Sequence, residues 1–213
     1  MLLHKRAIKA ATAATTTDYS RFALTHLNLH TSGMLEATNG HVLVQITPTV
    51  RVLDADYPVV NGADHLVGDL AKPVQIPADT AGRLVKALPK RSPFPALEHI
   101  RIGTKDDHVY ATATDLEIPS VVCIDTANVS DFPDCGRVMT SAAPKGGSVK
   151  VQLAADVLTA LIKVAVEMGT KGKQSGITLT IPTHEPHVTM PIPFAVDADD
   201  FTVAGVAMPM RID

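Results

Sequence analysis

The chain repeats itself, and a repeat constrains a fold more tightly than any single motif. Ala23-Leu24-Thr25-His26-Leu27-Asn28-Leu29 lies over Ala96-Leu97-Glu98-His99-Ile100-Arg101-Ile102, and Ala37-Thr38-Asn39 lies over Ala113-Thr114-Asp115. Around each pair a helical hydrophobic period gives way to strand-like runs in the same order. In unit one, residues 3–14 are rich in helix formers, with Leu3, Ala7, Ile8 and Ala11 on one side and Lys5 and Lys9 on the other. Extended runs are expected over Arg21–Leu29, Met34–Thr38 and His41–Thr47, with turns at Thr31-Ser32-Gly33 and Asn39-Gly40. The Pro- and Gly-containing stretch 48–73 reads as a long connection or partly paired edge.

Unit two opens with Val74-Gln75-Ile76 and Pro77 at a helix start. Its helix is expected over 78–91, burying Ala81, Leu84, Val85 and Leu88 and exposing Asp79, Arg83, Lys86 and Lys90; strands follow at 97–102, 108–114 and 117–124. Unit three begins with a strand at Lys150-Val151-Gln152-Leu153. Its helix, 154–173, turns Leu158, Leu161, Ile162 and Ala165 inward, and strands follow at Ile177–Ile181, 187–196 and 202–212. Each unit is a helix plus three antiparallel strands, with a leading strand in units two and three. Unit one lacks that strand, because only Met1 and Leu2 precede its helix. The class is α+β, built from β-α-β-β-β repeats. Ser141-Ala142-Ala143-Pro144-Lys145-Gly146-Gly147 is the best linker, dividing a two-unit domain, 1–142, from the third unit, 148–213.

Charge follows the same division of labour. The net charge is −3, which taken alone argues against a nucleic-acid partner. Yet the three helical windows carry a balance of +7 and the remaining residues −10. Basic helices on an acidic body suggest one face that meets phosphates and another that repels them. Lys5, Arg6, Lys9, Arg83, Lys86, Lys90, Arg91, Lys163, Lys171 and Lys173 are the candidate DNA-facing cations, against the reading that a basic helix face is only solvated.

The chain end is unusual in a different way. Gly205-Val206-Ala207-Met208-Pro209-Met210-Arg211-Ile212-Asp213 puts apolar, mobile side chains where polar, frayed residues are common. Methionines flanking a proline suit a deformable apolar pocket, and they equally suit a last edge strand packed on the core.

With repeats, basic helices and tail together, the chain resembles the bacterial sliding clamp, the beta subunit of the replicative DNA polymerase. Lys5, Arg6, Ile8, Arg21 and Leu24 match the first half of the clamp's middle domain. Ala37-Thr38-Asn39-Gly40-His41-Val42-Leu43 is similar to the family's Ala-Thr-Asp-Gly-His-Arg-Leu segment. Ile76-Pro77, Phe132-Pro133-Asp134 and Met208-Pro209-Met210-Arg211 follow in the family's order. The resemblance implies antiparallel sheets outside, helices on one face lining the hole of a ring, and a cleft that takes short apolar peptides of partner proteins. It carries cleft roles onto Leu24, Thr38, Gly40, His41, Val42, Leu43, Val206, Met208, Pro209 and Met210. Three departures stand out: Asn39 for the family's Asp, Val42 for its Arg, and Thr140 where a cleft proline is expected. A clamp chain also has six units and this one three. A twelve-unit ring would need four chains, a homo-oligomer, and the third unit must pair with another chain or with unit one.

Other chemistries find little footing. His184-Glu185-Pro186-His187 contains a proline that forbids a regular helix, so a surface turn is the better reading than a metal site. Ser120, Ser130 and Ser141 lack a nucleophile-elbow context, and Asp115 and Glu117 read as solvated edge charges. Cys123 and Cys135 are not spaced as metal ligands, and two thiols fit a reducing compartment. With 4% aromatic residues and no Trp, base-stacking platforms are not expected. No apolar run approaches the ~18 residues of a membrane span, and His4, Lys5, Arg6 and Lys9 interrupt any signal peptide. The expectation is a cytoplasmic, nucleoid-associated, non-enzymatic replication or repair accessory protein without metal or cofactor. It would tether polymerase or repair proteins, through short apolar peptides, to duplex DNA. The alternative is a clamp-fold peptide adaptor or competitor that does not encircle DNA.

Overall fold

The computed structural model describes residues 1–49, 52, 54–60, 70–106, 108–125, 131–141, 152–168, 176–181, 190–198 and 200–210. Unit one runs β1 (Leu2–His4), α1 (Lys5–Ala13), a 3-10 segment (Tyr19–Thr25), β2 (His26–Leu29), β3 (Leu35–Thr38) and β4 (Val42–Pro48). Unit two repeats it as β5 (Val74–Pro77), α2 (Ala78–Ala87), a 3-10 segment (Pro95–Glu98), β6 (His99–Lys105), β7 (His108–Thr114) and β8 (Pro119–Ile124). A short helix α3 (Cys135–Ser141) precedes unit three, which holds α4 (Ala155–Met168), β9 (Ile177–Leu179), β10 (Ile192–Val196) and β11 (Phe201–Ala207).

Unit one therefore has its leading strand after all. Leu2, Leu3 and His4 pair with Arg101, Ile100 and His99 of unit two, and reciprocally Val74–Pro77 pair with β2 of unit one. The helix begins two residues later than expected because His4 ends the strand and caps the helix. Its backbone is extended, and its Nδ1 accepts the amide of Arg6 at 3.1 Å. The exchange of leading strands builds a four-stranded sheet, β1-β6-β7-β8, and a seven-stranded sheet, β5-β2-β3-β4-β11-β10-β9. Unit three joins unit one by β11 on β4, one of the two pairings the sequence left open. The residues at either side of the expected 142/148 boundary, and Lys150 and Val151 of the expected leading strand, lie outside the described residues.

Three further expectations are corrected. The run Arg21–Leu29 is a 3-10 segment before a four-residue strand, since Asp18 accepts the amide of Ser20 and winds the chain at once. The α2 helix stops at Ala87, short of 91, because Pro89 forces Leu88 into extended backbone. On α4 the buried stripe is Val157, Ala160, Leu161, Val164, Ala165 and Met168, leaving Leu158 and Ile162 exposed. That stripe is mostly small residues, which allows α4 to lie close on α1 and on the sheet.

The core fills the space between helices and sheets. Ile8, Leu27, Leu29, Leu35, Val44 and Ile46 of unit one, Leu84, Ile100 and Ile102 of unit two, and Leu161, Phe194 and Val203 of unit three form one cluster. Central in the helical layer is α1, with α2 on one side and α4 on the other.

Candidate peptide cleft and basic face

The predicted cleft residues come from three distant segments, and strand pairing gathers them. Val206 lies opposite Leu43 and Ala207 opposite Val42, and the Met208 amide donates to the His41 carbonyl at 2.6 Å. The 38–42 turn is held by its own side chains. Thr38 Oγ1 accepts the Gly40 amide, and Asn39 Oδ1 accepts those of His41 and Val42 at 2.9 and 2.8 Å. Gly40 sits at φ +88°, in the left-handed region, and a Cβ there would lie 3.2 Å from the Arg21 guanidinium and 3.8 Å from Leu24. Leu24, from the 3-10 segment, thus borders the turn. Gly205 serves another end: a Cβ on it would overlap the Leu43 carbonyl oxygen and lie 2.6 Å from the Phe194 ring.

These residues divide by accessibility. Thr38, Val42, Leu43 and Val206 are buried, Val42 on the core side of the sheet. Leu43 and Val206 face outward but lie in a small cluster with Cys135, against which Phe132, Val138 and Met139 pack. Leu24, Met208 and Pro209 are half-buried, while Gly40, His41 and Met210 are exposed. The start of α3 and the segment before it thus pack on the outward face of β4 and β11, next to the tail. Sequence reasoning missed α3, although the signal was present: Asp134 Oδ1 accepts the Arg137 amide at 2.9 Å, an N-cap just past Phe132-Pro133. Thr140, at the expected proline position, is an exposed residue of α3 whose hydroxyl donates to the Gly136 carbonyl.

Beneath α3 lies a polar group that the sequence did not flag. Glu36 on β3 is 4% exposed, and its carboxylate accepts from Asn28 on β2 (3.0 Å), Gln45 on β4 (2.7 Å) and His30 (2.6 Å). The network ties three strands together beside Cys135 of α3. The Cys135 thiol is pushed up to about 12, by burial first and by the Glu36 charge next, so it stays protonated and unreactive.

The candidate cations divide as well. Lys5 is spent internally: its ammonium donates to the carbonyls of Pro89 and Lys90 and pairs with Glu98 at 2.8 Å. Arg6 donates to the carbonyl of Glu167 on α4 at 2.6 Å, and Lys9 lies 3.8 Å from the same residue's carboxylate. Lys9, Arg83, Lys86, Lys90, Arg91 and Lys163 are exposed, Lys90 and Arg91 beyond the end of α2. Lys171 and Lys173 lie outside the described residues, as does 184–187 of the metal reading. Among the described residues no cluster of three His, Cys, Asp or Glu is placed to hold a metal, and no helix is long and apolar enough to cross a membrane. A cleft of about 670 Å³ lies between Thr12, Thr15–Thr17, Tyr19 and Phe22 of unit one and Pro77–Thr80 and Cys123–Asp125 of unit two.

With the paired units and the β11-to-tail geometry described, comparison with solved structures becomes informative. The DNA polymerase III beta subunit of Thermotoga maritima superposes with a TM-score of 0.59 over 100% of this chain and 64% of its own, at 12% identity. This is the sliding-clamp fold. The DNA polymerase sliding clamps of Pseudomonas aeruginosa (TM-score 0.56, 16% identity, 66% of that chain) and Bacillus subtilis (0.51, 14%, 64%) also cover all of this chain. The chain thus spans about two thirds of the length of the clamps it resembles. No family model and no curated protein matches the sequence. At such low identity the fold outlasts any resemblance in sequence, and site chemistry must be argued from this chain's own residues.

Proposed function

We propose that this chain is a non-enzymatic, clamp-like accessory factor of DNA replication or repair, which associates with duplex DNA and captures apolar peptides of polymerase or repair proteins. The observation that supports the reading is the gathering of apolar, at least partly accessible side chains, Leu24, Met208 and Met210, near the 38–42 turn that its own side chains hold. Methionine side chains repack cheaply around different apolar ligands, and Gly40 lets a peptide backbone come close. Lys9, Arg83, Lys86, Lys90, Arg91 and Lys163 supply phosphate contacts without base readout, joined in this reading by Lys171 and Lys173.

The test has two arms. A fluorescent peptide of leucine and phenylalanine should bind, and Met208→Lys should weaken it by about tenfold, the cost of one lost apolar contact of about 1.4 kcal/mol. A short duplex should bind weakly and lose affinity steeply with salt, and Lys86→Glu with Lys90→Glu should reduce both affinity and salt slope. A specific observation favours the second reading, an adaptor that holds peptides without enclosing DNA. Lys5 is committed inside the fold, and α4 exposes Leu158, Ile162 and Val166 around Lys163. Peptide binding with no salt-dependent DNA binding would select the adaptor, and loss of both would end the proposal.

A further inference from the structure

Units one and two bury each other by a reciprocal exchange. Leu3 of the first leading strand faces Ile100, the equivalent Ile76 of the second faces Leu27, and α1 packs on α2. A local two-fold therefore relates the two units, so a unit of this design is complementary to another like itself. In that embrace Leu27 and Leu29 of β2, Ile100 and Ile102 of β6, and Ile8, Ala81 and Val85 of the helices are all 9% exposed or less.

Unit three is the same unit without a mate. Its strand register copies that of unit one: Leu179 faces Phe194 as Leu29 faces Leu35, and Phe194 faces Gly205 as Leu35 faces Ile46. Ile177 and Leu179 of β9 are thus the counterparts of Leu27 and Leu29. Each helix begins two residues after Leu3, Ile76 and Leu153 respectively. That alignment puts Leu158 where the other helices have Ile8 and Ala81, and Ile162 where they have Thr12 and Val85. Leu158 is 41%, Ile162 57% and Leu179 36% exposed, at places the other two units cover or half-cover. Among the described residues no strand lies beyond β9, the edge of its sheet. The segment before α4 is poised as well. The Gln152 carbonyl accepts the Met210 amide at 2.7 Å. Its counterpart Leu2 also turns its backbone away from the sister unit, since Met1 and Ile102 exchange both hydrogen bonds and alternate residues of an antiparallel strand bond to opposite sides. The tail thus takes one side of the segment, and the other is the side on which Leu3 meets Ile100.

We propose that unit three completes its core with unit three of a second copy of this chain. Helix α4 packs on the partner's α4 through Leu158 and Ile162, and each segment before α4 pairs with the other chain's β9, Leu153 facing the partner's Ile177 and Gln152 facing the partner's Thr178. Two chains then share one domain, built like the one that units one and two form within a chain. A second copy fits because units one and two show that this unit takes its own kind across a two-fold. The joint fills an unfinished core, and it is independent of the DNA and peptide readings.

Mixed cross-linking of the full chain tests it. In a Cys123→Ser background, where the remaining Cys135 is buried, Gln152→Cys and Thr178→Cys are made as separate proteins. Facing residues of an antiparallel pair have Cα atoms about 4.5–5.5 Å apart, within disulfide reach. Oxidising the mixture should therefore give a linked pair of one chain of each kind, and oxidising either variant alone several-fold less. Ile162→Lys in both proteins puts two ammonium groups into the apolar joint and should cut that cross-link at least about tenfold. Should circular dichroism show Ile162→Lys misfolded, hydrogen exchange of the native chain decides, since β9 amides should gain protection as concentration rises. A native chain that stays monomeric at its highest soluble concentration overturns the proposal. So does a mixture that links no better than either variant alone, a cross-link indifferent to a folded Ile162→Lys, or β9 exchange that does not change with concentration.

Discussion

Units one and two share a backbone and differ in what surrounds it. His26 and His99 each follow a 3-10 segment, and each ring donates from Nδ1 to the carbonyl four residues back, Phe22 at 3.0 Å and Pro95 at 2.8 Å. Asn39 and Asp115 each cap the turn that follows them, accepting two amides. Yet at the next turn residue, unit one has Gly40 at φ +88° and unit two has Leu116 at φ +79°, 60% exposed. The repeat dictates the path of the chain; the neighbours dictate burial. An apolar side chain at a given place in the pattern is core in one unit and surface in the other because only one of them has unit three against it.

The largest way to break that contrast is to pry unit three away. Gly205→Ala puts a methyl group into the Leu43 carbonyl and the Phe194 ring, so β11 cannot keep its pairing. A loss of about 3 kcal/mol is expected in thermal or denaturant melts, and β4 amides should then exchange hydrogen as fast as those of β8. Acid offers a second way. His4 is depressed to about 4, first by burial and next by repulsion from His99, and its neutral Nδ1 caps α1. Unfolded His4 titrates near 6.5, so its contribution is complete above that pH and is lost as pH falls from 6.5 to about 4. The loss is at most about 3 kcal/mol. Unit two has Pro77 at the equivalent place, with no proton to take up. Hydrogen exchange at pH 5 should therefore speed up in the first turn of α1 and not of α2. His4→Asn, a cap without a titrating ring, should flatten the profile.

The smallest effect sharpens the contrast at the two turns. Leu116→Gly should stabilise the protein by about 1 kcal/mol, because a left-handed conformation strains any residue with a Cβ. Gly40→Leu should cost more than that, since the added side chain meets the Arg21 guanidinium as well. Paired melting curves decide both.

How much of this was legible in the chain depends on how local each signal is. The repeat was readable because its marks, His26 with His99 and Asn39 with Asp115, act within a few residues of themselves. β1 was not, since Leu2, Leu3 and His4 become a strand only by pairing with residues 99–101. The α4 face was misread for a similar reason. Both stripes of that helix are apolar, and packing on α1 decides which is covered. Near the tail, the resemblance names Leu43, Val206, Met208 and the 38–42 turn together, and strand pairing does bring them side by side, while α3 and the Glu36 network carry no such mark. Asp134 marks a helix start, but a seven-residue helix beside a Gly- and Pro-rich stretch has almost no periodicity to read.

The pairing of β4 with β11 also orders events during synthesis. A ribosome delivers Val42–Pro48 long before Phe201–Ala207, so the nascent protein carries an apolar strand with a bare rim until more than 150 further residues have been added. Anything that stalls translation in between leaves a sticky intermediate, and chaperones that recognise extended apolar segments would meet β4 first.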